Sequence, residues 1–128
     1  MRMLLVEDSA SDAAMLVALL NEVDPGGIAI THATRLGSAA ALPDDPAFDV
    51  ILLDLNLPDS SGLETVAGAR QRWPGVPIVV RTITAEAAAG LQALRHGAQD
   101  YIVKDEFDSG VVLRAIRYAI ERHRLALE

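Results

Sequence analysis

The fold is decided by the stretch FDVILLD at residues 48–54, which contains an unbroken apolar run and ends in Asp54. Residues 50–53 do not alternate between apolar and polar side chains. Such a run is typical of a central strand that is buried on both faces, in a sheet covered by helices on both sides. We therefore expect a parallel sheet in which Asp54 lies at the carboxyl end of a central strand.

Short apolar runs and helical patterns alternate along the rest of the chain, which predicts βαβ units and a parallel sheet. The other strands are predicted at residues 2–6, 28–33, 76–82 and 100–103, and the helices at about 11–23, 35–42, 63–73, 85–95 and 108–125. Ser9 or Ser11 is expected to cap the first helix. Apolar residues at helical spacing in that helix are Ala14, Leu16, Leu19 and Leu20. Gly97 is expected to end the fourth helix in a left-handed conformation.

The length of 128 residues predicts a single domain over residues 1–128, and the composition suits a globular one. Hydrophobic residues make up 51% of the chain and aromatic residues only 4%, so the core is expected to be aliphatic. There is no cysteine, which excludes disulfides and thiolate metal sites. No stretch approaches the ~20 apolar residues that cross a bilayer. Acidic residues follow the first strand too soon for a signal peptide, so we expect a cytoplasmic protein that does not contact membranes.

The formal net charge is −7. A negative protein lacks the overall positive charge that drives binding to a phosphate backbone, so direct binding to nucleic acid is not expected. Residues 114–124 are locally basic. Arginines distributed around a helix more often form a solvated face than a nucleic-acid surface.

Polar side chains follow the predicted strands where each strand ends. Glu7 and Asp8 follow the first strand, Asp54 ends the third, Thr82 ends the fourth and Lys104 follows the fifth. Ligands of open parallel sheets bind beyond the carboxyl ends of the strands, so these residues are expected to share one rim.

Three carboxylates at close quarters repel one another and favour a divalent cation. Mg²⁺ suits them best, because it binds one or two carboxylates and keeps positions for a phosphate. Asp54 can then act as a nucleophile toward phosphorus. The ammonium of Lys104 and the hydroxyl of Thr82 are groups that stabilise the oxygens of a transferring phosphoryl group.

Four segments of the chain contain these strand ends: LLVED at residues 4–8, DLNLPDSSG at 54–62, PIVVRT at 77–82 and GAQDYIVK at 97–104. Together they resemble the receiver domains of two-component response regulators. Each is a weak signal alone, but their order and their places at strand ends make the set specific. The resemblance covers nearly the whole chain. It implies a flavodoxin-like, doubly wound α/β fold with five parallel strands in the order 2-1-3-4-5 and helices on both faces.

The resemblance also implies a role for each residue of the rim. Asp54 would accept the phosphoryl group, with Thr82 and Lys104 bonding phosphate oxygens. Asp8 would bind Mg²⁺ directly, Glu7 would act through water, and Asn56 would contribute its backbone carbonyl. Thr82 and Tyr101 would form the switch, in which the aromatic ring turns inward when the threonine moves.

The partners implied are those of a signalling switch rather than an enzyme. The phosphoryl donor would be a sensor histidine kinase or a phosphotransfer protein. The surface formed by the fourth helix, fifth strand and fifth helix would change shape and act on a downstream effector or domain. Homodimerisation through that surface stays open.

Three residues depart from the usual receiver pattern. Receiver domains usually have an apolar residue where Arg81 stands, so this charge must reach solvent or an acid. They usually have Ala or Gly after the threonine, where this chain has Ile83. Asp105 replaces a proline that is commonly in cis, so a trans peptide bond is expected there. These changes leave open a receiver-like interaction module that is never phosphorylated.

Two further alternatives are disfavoured by the residues themselves. A nucleotide or flavin binder needs a loop of free amides after the first strand, whereas Glu7 and Asp8 there would repel a phosphate. A hydrolase with Asp54 as nucleophile would need a second acid two residues on, and that position is Asn56.

Overall fold

Five parallel strands form the main sheet of the molecule. The computed structural model describes residues 1–83, 87–104 and 109–127. The strands are β1 (Arg2–Val6), β2 (Ala29–Ala33), β3 (Val50–Asp54), β4 (Ile78–Thr82) and β5 (Asp100–Val103). Their order across the sheet is β2-β1-β3-β4-β5, and all neighbouring pairs are parallel. The predicted strand order is therefore confirmed, with β3 at the centre.

Helices cover both faces of this sheet. They are α1 (Ala10–Val23), α2 (Leu36–Ala40), α3 (Leu63–Arg72), α4 (Ala87–Arg95) and α5 (Ser109–Leu127). Successive side chains of a strand point to opposite faces, so the apolar strands build two core clusters. Leu4 and Val6 pack into the cluster that includes Val66 of α3, whereas Met3 and Leu5 pack into the cluster under α1 and α5. This arrangement confirms the doubly wound α/β class.

The ends of several elements differ from the prediction. Helix α1 begins at Ala10, one residue early, because the Ser9 hydroxyl accepts a hydrogen bond from the Asp12 amide and caps the helix. Ala14 is exposed in α1, and Ala13 is buried beside Leu16 instead. The third strand begins at Val50 rather than residue 48. The predicted first residues of α4 and α5, at positions 85 and 108, lie outside the described residues.

A small hairpin was not predicted in the loop after β3. Residues Asn56–Leu57 pair antiparallel with Ser60–Ser61. Gly97 ends the turn after α4 with a φ of 106°, as expected for a left-handed glycine. Among the helices of the described ranges, none combines the length and apolar character that a bilayer span requires.

Strand register determines which side chains meet at the carboxyl rim. Leu53 of β3 lies beside Val6 of β1, so Asp54 and Glu7 follow side by side. On the other side of β3, Asp54 itself lies beside Arg81 of β4. Val103 of β5 lies beside Thr82, which brings Lys104 to the same rim.

Candidate functional site

Asp54 lies at the centre of the rim and is almost completely buried, with 2% of its surface exposed. Its Oδ1 accepts a hydrogen bond from the backbone N–H of Asn56 at 3.1 Å. Its Oδ2 accepts one from Lys104 Nζ at 2.7 Å. The carboxylate is therefore held in a fixed orientation by the loop after β3 and by the residue that follows β5.

Glu7 is buried beside Asp54 and has both of its carboxylate oxygens engaged. Oε1 accepts a hydrogen bond from the Ser9 amide at 3.1 Å, and Oε2 accepts one from Arg81 Nη1 at 2.6 Å. Lys104 Nζ lies 3.7 Å from the same Oε2. The backbone carbonyl of Glu7 also accepts a hydrogen bond from the His32 ring, at 2.7 Å.

The pKa of Glu7 is raised from 4.5 to about 7, mainly because burial penalises its charged form. The negative charge of Asp54 raises the pKa further. The hydrogen bond from Ser9 and the positive charges of Lys104 and Arg81 act in the opposite direction. Burial outweighs these favourable contacts.

Asp8 completes a group of three acids. One carboxylate oxygen from each of Glu7, Asp8 and Asp54 lies within 4.8 Å of the others. Asp8 is exposed, so this corner of the group faces solvent. Carboxylate oxygens at this spacing and with this access fit a hard divalent cation such as Mg²⁺. The backbone N–H of Asn56 donates to Asp54 and so places Asn56 beside the group. That the Asn56 carbonyl binds the cation stays a prediction.

Lys104 contacts the carboxylate of Asp54 directly. Burial lowers its pKa, but the hydrogen bond from Nζ to Asp54 and the charges of Asp54 and Glu7 outweigh that effect and raise the pKa overall. The ammonium therefore stays charged where a phosphoryl group on Asp54 would need a positive partner.

Thr82 is buried at the end of β4, 1% exposed. Its Oγ1 has no hydrogen-bond partner within the part of the chain that the structure describes. A buried hydroxyl without a partner is costly and is available to a group that arrives at the rim. Its predicted contact with a phosphate oxygen stays a prediction.

Tyr101 lies on β5 beside Val80 of β4 and packs, partly buried, against the core cluster that includes Val80. A Cβ added to Gly90 of α4 would lie 2.7 Å from Tyr101 Cδ2 and 2.9 Å from Cγ. The ring therefore packs against the α4 backbone, and only glycine leaves room for it there.

From the sequence, the charge of Arg81 could reach either solvent or an acid. It is 3% exposed and finds an acid rather than solvent, because its guanidinium pairs with Glu7. A charged residue one position before the end of an otherwise apolar buried strand, next to a strand ending in Asp54, is the signal that could have placed it in the site. The expected trans bond at Asp105 lies outside the described residues.

Comparisons with known proteins agree with this geometry. A family model described as "Response regulator receiver domain" matches residues 3–117. The regulatory protein LuxO of Vibrio cholerae is 37% identical over 100 residues, which cover 78% of this chain and 21% of LuxO. The transcriptional regulatory protein KdpE of Mycobacterium tuberculosis is 36% identical over 99 residues, covering 77% of this chain and 42% of KdpE. The chain thus spans less than half the length of these relatives.

Solved structures show the same fold. NtrX from Brucella abortus superposes with a TM-score of 0.82 at 26% identity, covering 98% of this chain and 28% of NtrX. A CheY-like response regulator receiver domain protein from Methanospirillum hungatei superposes with a TM-score of 0.81 at 24% identity, covering 98% of this chain and 97% of that one.

The raised pKa of Glu7 predicts a pH-dependent stability without divalent cations. The folded protein holds the Glu7 proton more tightly than the unfolded chain, so this proton stabilises the fold at low pH. The stabilisation is lost as the pH rises from 4.5 through about 7. From about pH 5 to about pH 8, the free energy of unfolding should fall by about 1–3 kcal/mol relative to a Glu7→Gln variant. Urea denaturation followed by circular dichroism measures this, and parallel pH profiles for the two proteins would contradict it.

The contact between Gly90 and Tyr101 predicts a non-additive pair of substitutions. Gly90→Ala should destabilise the protein by about 1–2 kcal/mol, because the new methyl group displaces the ring. In a Tyr101→Ala background the same change should stabilise by up to about 1 kcal/mol, since alanine is the better helix former. Denaturant unfolding of the four proteins tests this, and equal effects of Gly90→Ala in both backgrounds would exclude the contact.

Proposed function

Because this chain belongs to the response regulator receiver domain family, we propose that it is a switch activated by phosphorylation of Asp54 in a Mg²⁺-dependent reaction. The phosphoryl donor is a phosphohistidine of a sensor histidine kinase or of a phosphotransfer protein. The surface formed by α4, β5 and α5 changes on phosphorylation and acts on a downstream effector or domain.

The observation that supports the proposal best is the hydrogen bond between Asp54 and Lys104, made beside two further acids. Asp54 is buried, its Oδ2 lies 2.7 Å from Lys104 Nζ, and one carboxylate oxygen from each of Glu7 and Asp8 lies within 4.8 Å of an Asp54 oxygen. A structural ion pair alone does not require two additional carboxylates, because their repulsion is unfavourable.

In the transfer step, an Asp54 oxygen forms a bond to phosphorus while the bond from phosphorus to the donor nitrogen breaks. The electron pair of that bond goes to the departing imidazole. Lys104 and the Thr82 hydroxyl then bond oxygens of the transferred group. Bound Mg²⁺ supplies positive charge that offsets the repulsion between carboxylate and phosphoryl oxygens. The Asn56 amide keeps Asp54 oriented, because it already bonds Oδ1.

Transmission to the surface proceeds through β4 and β5. Thr82 and Val80 belong to the same strand, and Val80 lies beside Tyr101. A movement of Thr82 toward a phosphoryl group would alter the packing of Val80 and Tyr101 against α4. The tight Gly90 contact makes α4 sensitive to the position of the ring.

Asp54 is the predicted acceptor of the phosphoryl group. With Mg²⁺ and acetyl phosphate, the wild-type protein should gain the mass of one phosphoryl group, and Asp54→Ala should gain none. Asp44→Ala is the matched control, because Asp44 is an exposed aspartate paired with Arg72 away from the rim. Intact-protein mass spectrometry is the measurement. If the wild-type protein gains no mass and does not bind beryllofluoride, the alternative of an interaction module that is never phosphorylated would be favoured.

Ile83 is predicted to slow the loss of the phosphoryl group. It follows Thr82 directly and is 43% exposed, so its side chain can limit the access of water to the acceptor. Ile83→Ala should shorten the half-life of phosphorylated Asp54 by about threefold. Val17→Ala, which shortens an exposed apolar residue of α1, is the control and should leave the half-life unchanged. An unchanged half-life in the Ile83 variant would remove this role.

A further inference from the structure

Arg81 places a second fixed positive charge inside the acidic rim. Its Nη1 lies 2.6 Å from Glu7 Oε2, with 3% of the Arg81 side chain and 1% of the Glu7 side chain exposed. We propose that Arg81 is a positioning residue that holds Glu7 in an internal ion pair and thereby weakens divalent cation binding at the rim. This inference rests on the proposed function, because it concerns the cation of the same site.

The hydrogen bonds of Glu7 show why the ion pair competes with a cation. Oε1 accepts a hydrogen bond from the Ser9 amide, and Oε2 accepts one from Arg81. Lys104 Nζ lies 3.7 Å from the same Oε2. A cation that used Glu7 would approach either Oε2, which already faces two positive side chains, or Oε1, which already accepts the Ser9 hydrogen bond. Asp8 is exposed, and one of its carboxylate oxygens lies within 4.8 Å of one from the buried Asp54, so a cation that enters from solvent meets Asp8 first, with Asp54 next to it.

The charge balance of the rim points in the same direction. When all three acids are ionised, Glu7, Asp8 and Asp54 contribute three negative charges, and Lys104 and Arg81 contribute two positive ones. One net negative charge remains to attract a cation, and two would remain if position 81 were apolar. Charges at these separations interact strongly in a partly buried site, so this difference should be visible in the affinity.

Strand geometry keeps Arg81 in this place. Arg81 lies beside Asp54 in the sheet, and Val79, two residues earlier on the same face of β4, packs under α1 and α5. The guanidinium is therefore enclosed, and separating it from Glu7 would leave two buried charges unpaired. Glu7 and Arg81 thus stay together when a cation binds to Asp8 and Asp54.

Cation affinity measured without any phosphoryl donor tests the inference. Mg²⁺ binding is measured by isothermal titration calorimetry, and Mn²⁺ binding by the electron paramagnetic resonance signal of the free ion, at one ionic strength and pH. Arg81→Met removes the charge but keeps an unbranched chain, and it should tighten binding about tenfold. Arg81→Lys keeps the charge and should bind within about twofold of wild type.

Arg124→Met is the matched control, because it removes the same charge from the exposed end of α5, where Arg124 pairs with Glu121. It should leave the affinity unchanged. If Arg81→Met does not fold, as judged by circular dichroism, the comparison moves to a Glu7→Gln background, where no buried carboxylate is left unpaired. There, adding Arg81→Met should tighten binding about threefold through charge alone.

Equal or weaker cation binding by the folded Arg81→Met variants would overturn the inference, since Arg81 would then be structural or would support Glu7 as a ligand. Absence of cation binding in every protein would also overturn it. If cations bind as predicted but Asp54 is never phosphorylated, only the proposed function fails, and the two conclusions are separated.

Discussion

The mutual repulsion of Glu7, Asp8 and Asp54 is the constraint on which the rest of the site depends. Their carboxylate oxygens lie within 4.8 Å of one another, and two of the three side chains are buried. Lys104 and Arg81 offset most of this negative charge through ion pairs of 2.7 Å and 2.6 Å. The compensation is incomplete, and the remaining negative charge favours the binding of a divalent cation at the rim.

The sheet makes this crowding tolerable because it fixes the backbone beneath it. Strands β1, β3 and β4 are buried over almost their whole length, and their register sets Glu7, Asp54 and Arg81 in neighbouring positions. Side chains on such strands are held more precisely than those on loops. At the edge of the sheet, by contrast, Tyr101 is only partly buried and packs on Gly90.

Much of the fold could be predicted from local pattern. The apolar run before Asp54 and the regular alternation of elements determine a parallel sheet covered on both faces, and strand ends determine the rim. What could not be predicted depends on contacts between distant segments. The ion pair between Arg81 and Glu7 joins β4 to the residue that follows β1. Asp59 accepts hydrogen bonds from the amides of Leu36 and Gly37, which holds the start of α2 against the loop after β3.

The location of a bound cation tests the central claim most directly. A crystal structure with Mn²⁺ should show an anomalous difference peak about 2.2 Å from carboxylate oxygens of both Asp8 and Asp54, with Arg81 still paired to Glu7. Peaks found only elsewhere on the surface, or the carboxylates of Asp8 and Asp54 directed into separate regions, would contradict the account.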